Sequence, residues 1–419
     1  FHGGAWEYNR NSAVGANTFF NKAGGNYVAT DAQVIAGTKK VGDEKNPRPF
    51  RNRNQYGFKA SGPILKDKLF FFVFGERLKD IVFANKLVTV LTPSARQGIF
   101  RYQVGTNIYS TNIFCAGCFT VGASGVAVPT AINSTINTLF LANMPVGNST
   151  ETGDQLNTTG YRFAQQANTD RDAMTGRLDF DLNDKNNFNA VIDYNREENL
   201  RSDLGGTTVT PLVVQPARNV TYSGGWRFSP TASLSNELRL GQLYSAPEFF
   251  RTDATPAEYY LPTLITHPGP LNGGAIFRYQ GRLVKTQNIQ DTMSWLKGNH
   301  AFRFGAQYQS VKITAFNDAG ISPVYNLGIT TTGNFGPVLQ STALATAAGG
   351  PALSAAQQTS ARSLLALLGG VISAGQQTFN TSSQTSGFVA NYTSLRPFKY
   401  SMLAPYVLDQ WKIAPTLTL

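Results

Sequence analysis

Two carboxylates that could form an acid–base pair follow Arg177 at alternate positions, Asp179 and Asp181. Paired carboxylates are the catalytic groups of glycosidases, and clustered carboxylates also bind calcium. In an extended strand, residues two positions apart point to the same face, so the arginine and both acids would lie side by side. A cation beside the two acids favours a solvated ion-pair ladder over a catalytic or calcium site.

Other catalytic and metal-binding patterns are weak. The three histidines, His2, His267 and His300, lie far apart in sequence, whereas Ser–His–Asp catalysis needs a positioned histidine and a zinc site needs about four ligands. We therefore expect no enzyme activity, no metal and no cofactor. Cys115 and Cys118 stand in a loop-like CAGC segment, without the helix that a thioredoxin-type site requires. A small loop disulfide in an oxidising compartment is favoured over free thiols.

Composition narrows the class of protein. The 419 residues include 12% aromatic residues and 40 glycines, but only 15% are charged, below the usual quarter or so. These values suit strands with one face in lipid, and equally a secreted β-sandwich array. The net charge is +11, but the basic residues are dense only in Arg48–Arg53, so we expect no nucleic-acid partner. An anionic membrane surface remains open as a partner. No apolar run is long enough for a transmembrane helix.

Alternating apolar and polar residues predict a series of strands. The first covers residues 1–8, and five hairpins with tight turns follow at about 53–79, 173–196, 218–246, 286–315 and 400–419. Long loops separate them at 9–50, 80–172, 197–217, 247–285 and 316–399. The last of these loops contains the single predicted helix, Pro351–Ala374.

The two faces of these strands differ in polarity. Leu178 and Phe180, for example, alternate with Arg177, Asp179 and Asp181. Tight turns at one end, long loops at the other and an apolar outer face are typical of an outer-membrane barrel. The predicted fold is thus all-β, an antiparallel transmembrane β-barrel. Because a barrel in lipid must close, about 11 strands suggest half of a barrel of about 22, so we expect a fragment.

Five segments resemble TonB-dependent outer-membrane receptors of the Oar-like branch. In order they are FHGGAWEYNRNSAVGANTFFN, NRNQYGFKASGPILKDKLFFFVFGE, TGRLDFDLNDKNNFNAVIDYN, LKGNHAFRFGAQYQ and YVLDQWKIAPTLTL. The resemblance implies that residue 1 lies near the first barrel strand, and that the signal peptide and plug domain precede this fragment. It also implies periplasmic tight turns, extracellular long loops, and active transport of a bulky substrate energised by the TonB–ExbB–ExbD system. Outer-membrane lipid and lipopolysaccharide are the further expected partners.

Two sets of residues are candidates for contacts inside the barrel. Substrate-facing candidates are the polar side chains of inward positions, Arg177, Asp179, Asp181, Arg239, Arg303, Gln307 and Gln309. The alternative is that these side chains only hydrate the interior. If Glu76 points inward, the same periodicity makes Phe70, Phe72 and Phe74 point inward too, where they would face the plug. Leu69, Phe71 and Val73 would then meet lipid, with Arg77 and Lys79 near the outer-leaflet phosphates.

Aromatic residues near the tight turns predict an interfacial belt more strongly than a sugar-stacking platform. These residues are Trp226, Phe228, Trp295, Tyr406 and Trp411. A passive porin and a secreted adhesin-like array remain the alternatives to an active transporter.

Overall fold

The computed structural model describes residues 1–17, 19, 26–27, 44–45, 48–204, 209–251, 258–260, 278–330 and 335–419. Parts of the loops expected at 9–50 and 247–285, and His267 in the second of them, lie outside these residues.

One large antiparallel sheet contains eleven strands that pair in sequence order, with a twelfth strand attached to β3. The eleven are β1 (His2–Asn11), β2 (Arg51–Leu65), β3 (Leu69–Leu91), β4 (Thr169–Asn183), β5 (Asn186–Leu200), β6 (Val213–Thr231), β7 (Leu234–Arg251), β8 (Gln280–Lys297), β9 (His300–Asn317), β10 (Ser394–Ala414) and β11 (Leu417–Thr418). The attached strand, Thr158–Gln166, pairs with Phe83–Leu91 of β3. The predicted antiparallel all-β fold is confirmed. Within the described residues the sheet is open, because β1 pairs only with β2 and β11 only with β10.

The strands from β2 to β10 extend well beyond the length that a bilayer requires. β3 has 23 residues, so it is about 75 Å long at roughly 3.3 Å per residue, whereas a tilted transmembrane strand needs about ten residues. Successive strands are joined by tight turns at one end of the sheet, where Asp67 and Gly298 adopt positive φ angles of 57° and 59°. The long connections all start at the other end.

The long connections contain shorter elements than the main sheet. The helices are α1 (Pro93–Arg96), α2 (Ser134–Leu139), α3 (Ser341–Ala347) and α4 (Ala355–Gly369), and the 3-10 helices are Ser12–Val14, Leu141–Asn143 and Ser202–Leu204. The short strands are Asn26–Tyr27, Glu44–Lys45, Ile99–Val104, Asn107–Asn112, Phe119–Thr120, Glu258–Tyr260, Val324–Leu327, Val338–Leu339, Ile372–Gln376, Asn380–Thr381 and Phe388–Val389.

The helix predicted over 351–374 is observed as the shorter α4. Ser354 caps its first turn by accepting a hydrogen bond from the backbone of Gln357, whose side chain bonds back to the Ser354 backbone. Gly370 ends it with φ 69°, a left-handed conformation that glycine adopts without strain. The expectation of a single helix is wrong, because α1, α2 and α3 are too short to give a periodic sequence signal.

Two long connections fold together into a compact cap, which we define as residues 83–166 of the first connection and residues 324–330 and 335–376 of the second. Its core contains aromatic and aliphatic side chains that are almost fully buried, including Val90, Leu91, Phe100, Tyr102, Phe140, Leu344, Leu364, Leu365 and Leu368. Hydrogen bonds join the two segments as well, from the Tyr102 hydroxyl to the carbonyl of Pro351 at 3.0 Å and from the Asn133 N–H to the carbonyl of Leu368 at 2.8 Å. The segment 80–172, which shows only weak periodicity, is therefore largely ordered.

Candidate functional site

Ladder pairing places all the candidate residues on one face of the sheet, which we call the polar face. In an antiparallel sheet, directly paired residues share a face. Arg177 pairs with Phe72 of β3 and with Val191 of β5, and Asp179 pairs with Phe70 and Asn189. The same pairing, followed through β6, β7, β8 and β9, brings Arg239, Gln290 and Gln307 into one row. Arg303 and Gln309 lie on the same face of β9.

Ion pairs run along the polar face. Arg177 donates to both carboxylate oxygens of Asp179, at 2.7 and 2.6 Å, and Arg239 donates to Glu237 at 2.8 Å. Asp181 does not join the Arg177 pair; its carboxylate accepts a hydrogen bond from the amide of Asn187. These charges are solvated neighbours on a strand, so they contribute little to stability and chiefly keep the face hydrophilic.

Glu76 is a carboxylate of the polar face that two neighbouring side chains hold in place. Its Oε2 accepts a hydrogen bond from Nε2 of Gln55 at 2.9 Å, and Nη2 of Arg171 lies 3.2 Å from Oε1. Four positions of β3 alternate on this face, Phe70, Phe72, Phe74 and Glu76. Phe74 stacks on Trp6 of β1 with ring centroids 5.6 Å apart. The polar face thus carries an aromatic patch across β1 to β3.

The opposite face carries large apolar side chains on every strand from β2 to β10. Its residues include Tyr56, Phe58, Phe71, Val73, Leu178, Ile192, Tyr222, Leu240, Ile289, Tyr308 and Leu403. Many of these large apolar side chains are exposed. So extended an exposed apolar surface is unusual for a protein in water and marks contact with lipid or another protein.

Aromatic side chains stack at the tight-turn end of the apolar face. Phe188 lies parallel to Trp226, with an interplanar angle of 4° and centroids 6.1 Å apart, and His300 lies between Phe302 and Trp411 at 5.4 and 5.3 Å. Tyr406, expected in the same belt, lies instead on the polar face, where its hydroxyl is 2.8 Å from that of Thr292. Tyr406 lies on the polar face because it pairs with Gly305, which shares that face of β9 with Arg303 and Gln307.

Three lysines lie side by side on the apolar face towards the end with the long connections. Lys285 pairs with Lys312, and Lys312 pairs with Lys399. Nζ of Lys285 lies 5.5 Å from the ring centre of Tyr244. Like charges directly opposite each other destabilise a sheet. A bound anion would remove this repulsion, so the row of lysines is suited to bind one. Sequence reasoning missed it because the lysines come together only through the register of three strands.

The cap contains the two cysteines. Cys115 and Cys118 form a disulfide with Cα atoms 5.5 Å apart, and Cys118 lies in the cap core. In the described part of the chain, no group of three or more His, Cys, Asp or Glu side chains is arranged to hold a metal ion. None of the described helices is both long and apolar enough to span a membrane.

Comparison with known proteins agrees with this architecture. The family model described as "Outer membrane beta barrel domain" matches residues 1–419. No curated protein sequence matches significantly. Among solved structures, the chain is similar to the outer membrane transporter YddB from Escherichia coli, with 9% identity over 98% of this chain and 41% of that chain and a TM-score of 0.40.

Two further structures resemble it at a similar level. The ferric enterobactin receptor PfeA from Pseudomonas aeruginosa has 11% identity over 88% of this chain and 36% of that chain, with a TM-score of 0.39. The open form of the ferric-catecholate import receptor Fiu from E. coli K12 has 11% identity over 87% of this chain and 51% of that chain, with a TM-score of 0.31. The chain therefore spans about half, or less, of the length of these proteins. By its match to the family model over its whole length, the chain belongs to the outer membrane beta barrel domain family, whose members lie in the outer membrane.

Proposed function

We propose that the chain forms part of the barrel wall of an active outer-membrane transporter that moves a bulky substrate and is energised through TonB. The observation that carries the proposal is the polar face, an ion-paired surface that continues across the sheet behind an apolar one. The five segments similar to TonB-dependent receptors, in the same order, support the energised class over a passive porin. No catalytic role is proposed for any residue.

In this arrangement the apolar face meets lipid and the polar face lines the interior. Phe70, Phe72, Phe74 and Glu76 form a wall patch for a plug domain, with Trp6 beside them. The substrate contacts Arg177, Asp179, Asp181, Arg239, Arg303, Gln307 and Gln309 on its way through. The lysine row of Lys285, Lys312 and Lys399 contacts phosphate groups of lipopolysaccharide in the outer leaflet.

The full-length protein can be tested for gating in a planar lipid bilayer. A plugged transporter should show no steady conductance until the plug is loosened with urea, whereas a porin conducts at once. Steady conductance without denaturant would contradict the transporter proposal. Pull-down of the solubilised full-length protein by the periplasmic domain of TonB tests the energy partner, and a variant that lacks its TonB-binding segment is the matched control.

The orientation can be tested by labelling in intact cells. The proposal places the cap outside the cell and the tight turns in the periplasm. A Thr359→Cys variant, at an exposed position of α4, should react with a membrane-impermeant maleimide. An Asp184→Cys variant in the turn between β4 and β5 should react only after lysis. The reverse pattern would overturn the orientation. Within residues 1–419, the Cys115–Cys118 disulfide leaves no free cysteine to react in the background.

A further inference from the structure

A cavity of about 490 Å³ lies on the polar face, at the end of the sheet where the long connections begin. Its floor is formed by β7, β8, β9 and β10, close to the end of each strand that joins a long connection. Thr378 and Asn380, in the connection before β10, border the cavity. The volume lies within the range of pockets for small ligands, roughly 300–1,000 Å³. None of the sequence-based candidate residues lines it.

Two arginines face each other across this floor. Ala315 of β9 pairs with Arg282 on one side and with Arg396 on the other, so all three side chains point to the polar face in one row. Neighbouring strands are about 4.8 Å apart, which places the two arginine Cα atoms about 10 Å apart. Between the two arginines the row holds only the methyl group of Ala315, so no large side chain of β9 separates them. Both arginines are exposed.

The positive charge of this pair is not compensated locally. Among the described residues, neither Arg282 nor Arg396 has a hydrogen-bond or ion-pair partner. The acids nearest in register, Glu248 and Asp318, flank Tyr279, and Tyr279, like Glu248, belongs to the opposite face of the sheet. The arginines therefore repel each other unless an anion lies between them.

A third arginine at the edge of the cavity shows the contrast. Arg201 donates to both oxygens of Asp203, at 2.8 and 2.7 Å, and to Gln215 of the cavity lining at 2.8 Å. The hydrogen bond from Arg201 holds the pKa of the Asp203 carboxyl below its ordinary value. The guanidinium carbon lies 5.6 Å from the ring centre of Phe249, another lining residue. Arg201 is thus neutralised and fixed, while Arg282 and Arg396 remain available.

We propose that this cavity is a recognition site for a substrate that carries a carboxylate or phosphate group, held between Arg282 and Arg396. The planar guanidinium group binds either anion through two parallel hydrogen bonds. The next row of the floor offers the amides of Gln280 and Asn317 for hydroxyl groups of the ligand, and Phe249 offers an apolar surface. The inference rests on the proposed function, to which it adds the charge of the substrate.

Binding can be measured on purified full-length protein by equilibrium dialysis with radiolabelled citrate and inorganic phosphate. Saturable binding of at least one probe is expected, and the two probes distinguish a carboxylate from a phosphate site. Arg282→Gln and Arg396→Gln should each weaken binding at least tenfold. Arg282→Lys and Arg396→Lys should bind with intermediate affinity, because lysine keeps the positive charge but cannot form the two parallel hydrogen bonds of a guanidinium group. Arg362→Gln, on α4 outside the cavity, removes the same charge and should bind as the wild type.

Unchanged gel mobility of unheated samples will show that the glutamine variants are folded. The proposal would be overturned if neither probe showed saturable binding. Equal binding by the wild type and by a folded variant with both Arg282→Gln and Arg396→Gln would also overturn it. Because dialysis needs neither TonB nor transport, anion binding without energised uptake would refute the transport function while leaving the anion site intact.

Discussion

Trp6 stacks on Phe74 across β2 because the residue between them is Gly57. A Cβ atom at position 57 would lie 2.6 Å from Cζ2 of Trp6 and 2.5 Å from the carbonyl oxygen of Gly75, closer than packed atoms allow. Gly57→Ala should therefore destabilise the folded protein by about 1–3 kcal/mol, which can be measured as a lower temperature for loss of the compact band on gels. Gly241→Ala is the control, because its Cβ would meet nothing nearer than Cβ of Asn288 at 3.9 Å. Equal effects in both variants would contradict this account.

The lysine row should retain lipopolysaccharide. Replacing Lys285, Lys312 and Lys399 by Gln removes three adjacent positive charges, so the phosphorus that co-purifies with the full-length protein should fall by more than half. Lys59→Gln is the control, because Lys59 lies on the polar face, where it pairs with Phe74. Retention of the full amount by the triple variant would contradict the outer-leaflet contact.

The carboxylate of Asp291, on the apolar face, accepts its hydrogen bonds from a neutral amide. Nδ2 of Asn236 lies 2.9 and 3.2 Å from the two carboxylate oxygens of Asp291. Asn236→Leu removes the donor and leaves the acid beside lipid, which should cost about 1–3 kcal/mol in urea unfolding of the lipid-embedded protein. Adding Asp291→Leu removes the orphaned acid, so the double variant should recover most of the loss. A double variant less stable than the single one would disprove this explanation.

The cap should unfold separately from the barrel wall. Leu365 is fully buried in the cap core, so Leu365→Ala should destabilise the cap by about 2–5 kcal/mol. In intact cells, protease should then cut within residues 83–166, while the heat-dependent gel shift of the wall is unchanged. The exposed Thr359→Ala in the same helix should change stability by less than about 0.5 kcal/mol. Loss of the gel shift in Leu365→Ala would show that the cap and wall are one unit.

The antiparallel β-fold could be predicted because its signal is local. Leu178 and Asp179 differ in polarity as neighbours, and that contrast recurs with a period of two along most of the strands, although not along Leu69–Phe74. The cap could not be predicted in this way, because Phe100 and Leu365 meet only through contacts distant in sequence. The one available signal was in α4, whose Leu364, Leu365, Leu367 and Leu368 form one broad apolar face, as on a helix that packs against a core.

The two arginines of the cavity could not be found from the sequence, because the register of the strands brings them together. Arg282 and Arg396 are separated by more than one hundred positions of ordinary sequence, and only their common pairing with Ala315 brings them together. The error at Tyr406 has a different origin, because proximity to a turn does not determine the face of the sheet on which a side chain lies. Counting alternate residues from a neighbouring position such as Trp411 would have placed Tyr406 on the polar face.

The cap also fixes an order of events during biogenesis. Its two segments are separated in the chain by six strands of the wall, β4 to β9, so the first segment leaves the inner membrane well before its partner. Until the second segment arrives, the apolar side chains of Val90, Leu91 and Phe100 cannot be buried. They remain exposed in the periplasm and are prone to aggregate. Closure of so non-local a core is slow. The part of the chain that ends up best packed is therefore the part that stays exposed longest before it folds.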